Sequence, residues 1–124
     1  MKIQMIESTM VFKTHEKFVQ IDIDSILFCK SEGSYIQFYL DDGSNSRICG
    51  TIKMVFEHLP KDKFLRIHRS LLVNLLKVSA FSSRHHQVKI NNHLLQIAKN
   101  KYSYVLEEFL RNKIPDKRIV QLKK

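Results

Sequence analysis

Apolar and polar residues alternate with a period near two over most of the first fifty positions, a pattern that predicts strands. Residues 10–13 and 17–22 flank Thr14-His15-Glu16, a polar connection suited to a hairpin, and residues 26–30 form a compact apolar run. Ser31-Glu32-Gly33-Ser34 ends that run with turn-forming residues. Residues 35–40 have strand composition, Asp41-Asp42-Gly43 is the strongest hairpin signal in the chain, and residues 44–49 are the expected return strand.

The period changes after Gly50. Ile52, Val55, Phe56 and Leu59 recur at helical spacing, Thr51 suits the N-cap and Pro60 follows, which predicts a short helix over 51–59. Apolar runs at 64–67 and 71–74 lie either side of His68-Arg69-Ser70. Residues 78–81 and 88–90 read as strands around a polar turn over 82–87, and Asn91-Asn92 allows a tight turn before a strand at 93–97. Tyr102, Val105, Leu106, Phe109 and Leu110 form one apolar stripe, predicting a second helix from about 99 to 112 that Pro115 closes. The expected fold is mainly β, with two short helices. Residues 1–9 are expected to be an N-terminal extension, 10–112 the domain, and 113–124 a frayed basic tail.

Length and composition narrow the class. A chain of 124 residues fits one domain, and 44% hydrophobic with 27% charged residues is a globular balance. No run approaches the ~18 apolar residues of a membrane span, and the opening MKIQMIESTM lacks a secretory apolar core, so a cytoplasmic location is expected. The cysteines, Cys29 and Cys49, form no C-x-x-C pair. Both lie in apolar strand segments and are expected to be buried, inert thiols.

Charge changes the picture more. Lys and Arg total 21 against 12 Asp and Glu, a net +9, but residues 1–60 sum to −2 and residues 61–124 to +11. Such a polarised chain fits a polyanion partner, nucleic acid first, or a merely soluble basic protein. An acidic membrane surface is disfavoured, because no stretch pairs a basic face with a wide apolar one. Six histidines (15, 58, 68, 85, 86 and 93) show no metal-ligand spacing, and the three glycines stand singly, without a phosphate-cradling loop. No serine sits in a G-x-S-x-G elbow. No enzyme, cofactor or metal is expected.

Residues 64–74, Phe-Leu-Arg-Ile-His-Arg-Ser-Leu-Leu-Val-Asn, stand apart. Two arginines, a histidine and a serine interrupt an otherwise apolar run. On extended backbone Arg66, His68 and Ser70 would share one face, and Leu65, Ile67 and Arg69 the other. Guanidinium groups suit guanine edges and phosphates, while ion pairs within a small β domain would use the same residues.

The run resembles the signature of the LytTR DNA-binding domain family, approximately F-x-R-x-H-x-S-x-x-V-N, with Phe64, Arg66, His68, Ser70, Val73 and Asn74 in register. The stretch 26–35 is similar to the family's I-x-y-I-E-A-x-x-N-Y strand and loop, Asp42-Gly43 to its D-G turn, and Gly50-Thr51-Ile52 to the start of its short helix. The likeness runs over about residues 10–110. It departs at Lys30 and Ser34, where the family often has glutamate and asparagine, and at Ala98-Lys99-Asn100, where it has approximately S-R-R.

The resemblance implies an elongated fold of about ten strands in three small antiparallel sheets. It implies a bacterial transcription regulator that inserts loops, not a recognition helix, into successive major grooves of direct-repeat promoter sites, with a second copy of itself on the DNA. Carried over by position, Ser34 and Tyr35 form the first loop, Arg66, His68, Arg69 and Ser70 the second, and Lys99, Asn100 and Lys101 the third. Arg69, Asn100 and Ser34 are then expected at base edges, and Arg66, Lys99 and Lys101 at phosphates. Arg84 and His86 add phosphate contacts, His68 either touches DNA or orders its loop, and Asn74 satisfies buried backbone groups.

Such domains form the output half of two-component response regulators. With about ten residues before the first expected strand, the chain is read as carrying no receiver domain, as either a free-standing regulator or the excised C-terminal piece of a longer one. Regulation would then come from a receiver domain in a missing segment or from a partner in a histidine kinase pathway. The alternative function is a non-catalytic interaction module that docks on an acidic signalling partner. RNA binding is disfavoured because no exposed aromatic pair stands in an RRM-like motif.

Overall fold

The computed structural model describes residues 2–14, 17–111 and 121–122. A five-stranded sheet lies at its centre, and each face carries a hydrophobic core. Its strands are β4 (Ile26–Glu32), β5 (Tyr35–Leu40), β6 (Asn45–Cys49), β7 (Phe64–His68) and β8 (Leu71–Asn74), in the order β6-β5-β4-β8-β7. All neighbouring pairs are antiparallel.

Cys29, Ile36, Phe38, Ile48, Phe64 and Leu72 point to one core. It is closed by a three-stranded sheet of β1 (Lys2–Ile6), β2 (Thr9–Lys13) and β3 (Phe18–Asp22), and by the short helix α1 (Ile52–Phe56). Phe28, Leu65, Leu71 and Val73 point to the other core. That side holds β9 (Ala80–Ser82), β10 (Gln87–Ile90), β11 (His93–Gln96) and the amphipathic helix α2 (Tyr102–Arg111), whose Val105 and Phe109 are buried. Burial on both faces explains why β4 and β8 read as continuous apolar runs instead of alternating ones. The three small sheets and two helices agree with the sequence expectation.

The local signals act as predicted at the Asp42-Gly43 turn. Gly43 takes φ +89°, and its N–H donates to the Leu40 carbonyl at 3.0 Å. Ser44 donates its hydroxyl and its N–H to the Asp42 carboxylate at 2.6 and 2.8 Å. Thr51 caps α1 by accepting from the Met54 N–H at 3.2 Å, although α1 stops at Phe56 and not at residue 59. Asn91, at φ +52°, makes the β10–β11 turn.

Several expectations need correction. Residues 2–6 form a strand, β1, with Ile3 opposite Phe12 and Met5 opposite Met10. Mostly exposed, β1 lacks the alternating burial that sequence reading detects. Leu75–Lys77 is a 3-10 turn, which delays the next strand from residue 78 to 80. Lys99–Lys101 is another, so α2 itself begins at Tyr102. In the tail, Gln121–Leu122 forms a two-residue strand, β12, parallel to β9. The expected turn residues His15 and Glu16, and most of the expected tail, lie outside the described residues. Cys29 is fully buried, and burial pushes its thiol far up from the usual cysteine range, but Cys49 is exposed.

Candidate nucleic-acid interface

The signature segment is not one extended run. The pairing of β7 with β8 shifts register between Arg66 and His68, and β7 ends at His68. Arg69 and Ser70 form the tight turn into β8, so Arg69 is not simply the opposite-face partner of Arg66. Arg69 is exposed at the tip, while Arg66, His68 and Ser70 are half-buried. Their hydrogen bonds hold the turn. The Arg66 guanidinium donates to the Arg69 carbonyl at 2.7 Å. The Ser70 N–H donates to His68 Nδ1 at 3.2 Å, and the Ser70 hydroxyl lies 3.1 Å from the same nitrogen. With Ser70 N–H donating to it, Nδ1 is the acceptor, so His68 orders the loop.

Asn74 closes the segment in the core at 3% exposure. Its amide donates to the Ile26 carbonyl at 2.9 Å and accepts from the Leu76 N–H at 3.0 Å. It satisfies buried backbone groups, as expected.

The three sequence-assigned loops gather at one end of the central sheet. Strands β4 and β7 run in the same direction, each antiparallel to β8, so their ends lie together. The Ser31 N–H donates to the Ser70 carbonyl at 3.0 Å, tying the second loop to the strand that leads into the first. Ser34 is exposed in the β4–β5 turn, its carbonyl held by the Gly50 N–H at 2.9 Å, and Tyr35 follows as the first residue of β5. On the other side, the Ala98 N–H donates to the Ile67 carbonyl at 2.9 Å. That bond sets the 3-10 turn of Lys99, Asn100 and Lys101 beside the end of β7, with Lys99 and Asn100 exposed and Lys101 half-buried.

The 83–86 turn joins the same rim. The Ile97 N–H donates to the His86 carbonyl at 2.8 Å, and the His86 ring stacks on Tyr102 at 4.3 Å and 16°. Arg84 is exposed in this turn. A row of cations therefore follows the rim from Arg69 through Lys99 and Lys101 to Arg84, and such a row can grip a polyanion.

One residue of this end escaped the sequence reading. The Arg47 guanidinium lies over the Tyr35 ring, 4.6 Å from its centroid. The usable signal was the Asp42-Gly43 hairpin. Its register sets Tyr35 opposite Cys49 and Gln37 opposite Arg47, which makes Arg47 a same-face diagonal neighbour of Tyr35. Among the described residues no group of three His, Cys, Asp or Glu side chains could hold a metal ion. No described helix is long and apolar enough to cross a membrane.

Comparison with known proteins agrees with this geometry. No curated protein matches the chain. A solved LytTr DNA-binding domain from Bacillus cereus shares the fold at a TM-score of 0.69 and 18% sequence identity, covering 84% of this chain and 97% of its own. The sequence model of the LytTr DNA-binding domain matches residues 16–110, a span that takes in the whole signature and all three rim loops. The chain belongs to the LytTr DNA-binding domain family.

Proposed function

We propose that this chain binds double-stranded DNA sequence-specifically as a bacterial transcription regulator, with residues 10–112 as the binding unit. The three rim loops enter successive major grooves of a direct-repeat promoter site, and a second copy binds the second repeat. The protein works in the cytoplasm as the output of a two-component pathway, controlled by a receiver domain or histidine kinase. The observation that carries this reading is the rim itself. Three loops far apart in sequence, the first carrying Ser34 and Tyr35, the second Arg69 and the third Lys99, Asn100 and Lys101, are tied together by backbone hydrogen bonds at one end of the sheet.

The roles differ along the rim. Arg69, exposed at the tip of a turn held from behind by Arg66, reaches a base edge, and so do Asn100 and, more weakly, Ser34. Lys99, Lys101, Arg84 and His86 serve the phosphates. Arg66 presents Arg69, its Nε is buried, and its other terminal N–H groups are the ones that serve phosphate.

Titration of Arg69→Ala and Lys101→Ala against a selected duplex and a scrambled one, at several salt concentrations, tests these roles. Arg69→Ala should lose roughly 1–3 kcal/mol on the selected duplex and little on the scrambled one. Lys101→Ala should weaken both alike and lower the salt slope by about 1. If neither variant weakens binding, or the wild-type chain shows no salt dependence, the DNA face is refuted and an interaction module on an acidic partner becomes the better account.

A further inference from the structure

We infer that Arg47, held over the Tyr35 ring, is a phosphate-gripping residue at the outer edge of this rim, so that the pair acts as one unit; the inference rests on the DNA-binding function proposed above. Arg47 is exposed on the edge strand β6, and Tyr35 is 44% exposed. The face they share carries Lys30 opposite Gln37, Gln37 opposite Arg47, and Glu32 opposite Tyr35, all outside the two cores. Among the described residues Arg47 forms no ion pair with a carboxylate, Glu32 included.

An exposed arginine without an acid partner ordinarily samples many rotamers, and ordering it on DNA opposes binding. Stacking on the ring at 4.6 Å removes part of that cost beforehand. A guanidinium lying on a ring also keeps its N–H edge free, and that edge matches two phosphate oxygens. Its place is equally specific. Tyr35 begins the strand that leaves the first loop, and the Ser34 carbonyl is bound by Gly50, the residue after β6. Arg47 therefore flanks the first loop, extending the row of cations to its far side from Lys99 and Lys101.

The test measures binding of fluorescein-labelled selected and scrambled duplexes to Arg47→Ala, Arg47→Lys, Tyr35→Leu and the Arg47→Ala/Tyr35→Leu double variant, across a salt series. Arg47→Ala should weaken both duplexes by about tenfold and lower the salt slope by about 1. Arg47→Lys should keep the wild-type slope, because the charge remains, while binding more weakly than wild type. Tyr35→Leu should cost less in the Arg47→Ala background than in wild type, the mark of a coupled pair. Unchanged urea midpoints separate these effects from unfolding. If Arg47→Ala keeps the wild-type slope while Lys101→Ala loses it, the Arg47 assignment alone is wrong. A loss confined to the selected duplex would move Arg47 to a base edge and also overturn the phosphate role. If the wild-type chain binds neither duplex, the DNA-binding function itself fails.

Discussion

Asn74 offers the sharpest stability test, because its side chain joins two elements that are distant in sequence and both ends of the bond are known. At 3% exposure it donates to the Ile26 carbonyl and accepts from the Leu76 N–H. Asn74→Ala removes both bonds and leaves two backbone groups without those partners. At about 1–3 kcal/mol for the buried Ile26 carbonyl and about 1 kcal/mol for the part-buried Leu76 N–H, the expected loss is about 2–4 kcal/mol. With a urea m-value of about 1–3 kcal/mol/M for a domain of this size, the midpoint should fall by roughly 0.7–4 M at unchanged m.

Asn74→Asp sharpens the test. Its ionised carboxylate can still accept from Leu76 but would face the Ile26 carbonyl, an acceptor, so the loss at neutral pH should reach about 3–5 kcal/mol. Burial raises the folded-state pKa of such an aspartate above the unfolded value of about 3.9. Between those two values the folded state binds more protons, so stability falls as pH rises through the window and recovers toward acid. The protonated acid regains a donor for Ile26. Urea titrations of wild type and both variants at neutral and mildly acidic pH measure this. A midpoint for Asn74→Ala equal to wild type, or an Asn74→Asp deficit that does not shrink on acidification, would refute the bridging role.

Other outcomes follow from the same contacts. Arg66→Ala, by freeing the Arg69 carbonyl, should cost the selected duplex about as much as Arg69→Ala, roughly 1–3 kcal/mol, and duplex titration checks it. Asp42 should titrate below the usual aspartate range, since the Ser44 hydroxyl and N–H both donate to its carboxylate. What those bonds contribute is present above the unfolded pKa and disappears as pH falls through the lowered one; Ser44→Ala should move the NMR midpoint of Asp42 upward. In the native protein a thiol reagent should label Cys49 quickly and Cys29 only after unfolding, as kinetics with and without urea would show.

Sequence alone determined whatever depends on neighbours along the chain. The Asp42-Gly43 turn, the Thr51 cap and the stripe of α2 each rest on residues within one or two turns of backbone, and all appear as predicted except that Leu110, expected in the stripe, is exposed. The family resemblance likewise gave Asn74 the task of satisfying buried backbone groups and pointed to the loops that meet at the rim. Tertiary structure decided what depends on distant partners. Strand β1 exists because β2 offers it an edge, not because its own residues alternate in burial. Cys29 and Cys49 both sit in apolar strand segments, yet only Cys29 faces a core, and which face a strand residue takes depends on register against its neighbours. The register shift in β7 turned an apparent extended face into a turn held by Arg66, and no local pattern announces it. The rim arises because β8 aligns the ends of β4 and β7 and because one bond, from Ala98 to Ile67, brings the third loop alongside. Backbone hydrogen bonds between strands are nearly the same for every residue type, so the sequence names the side chains of the interface while long-range pairing alone sets them side by side.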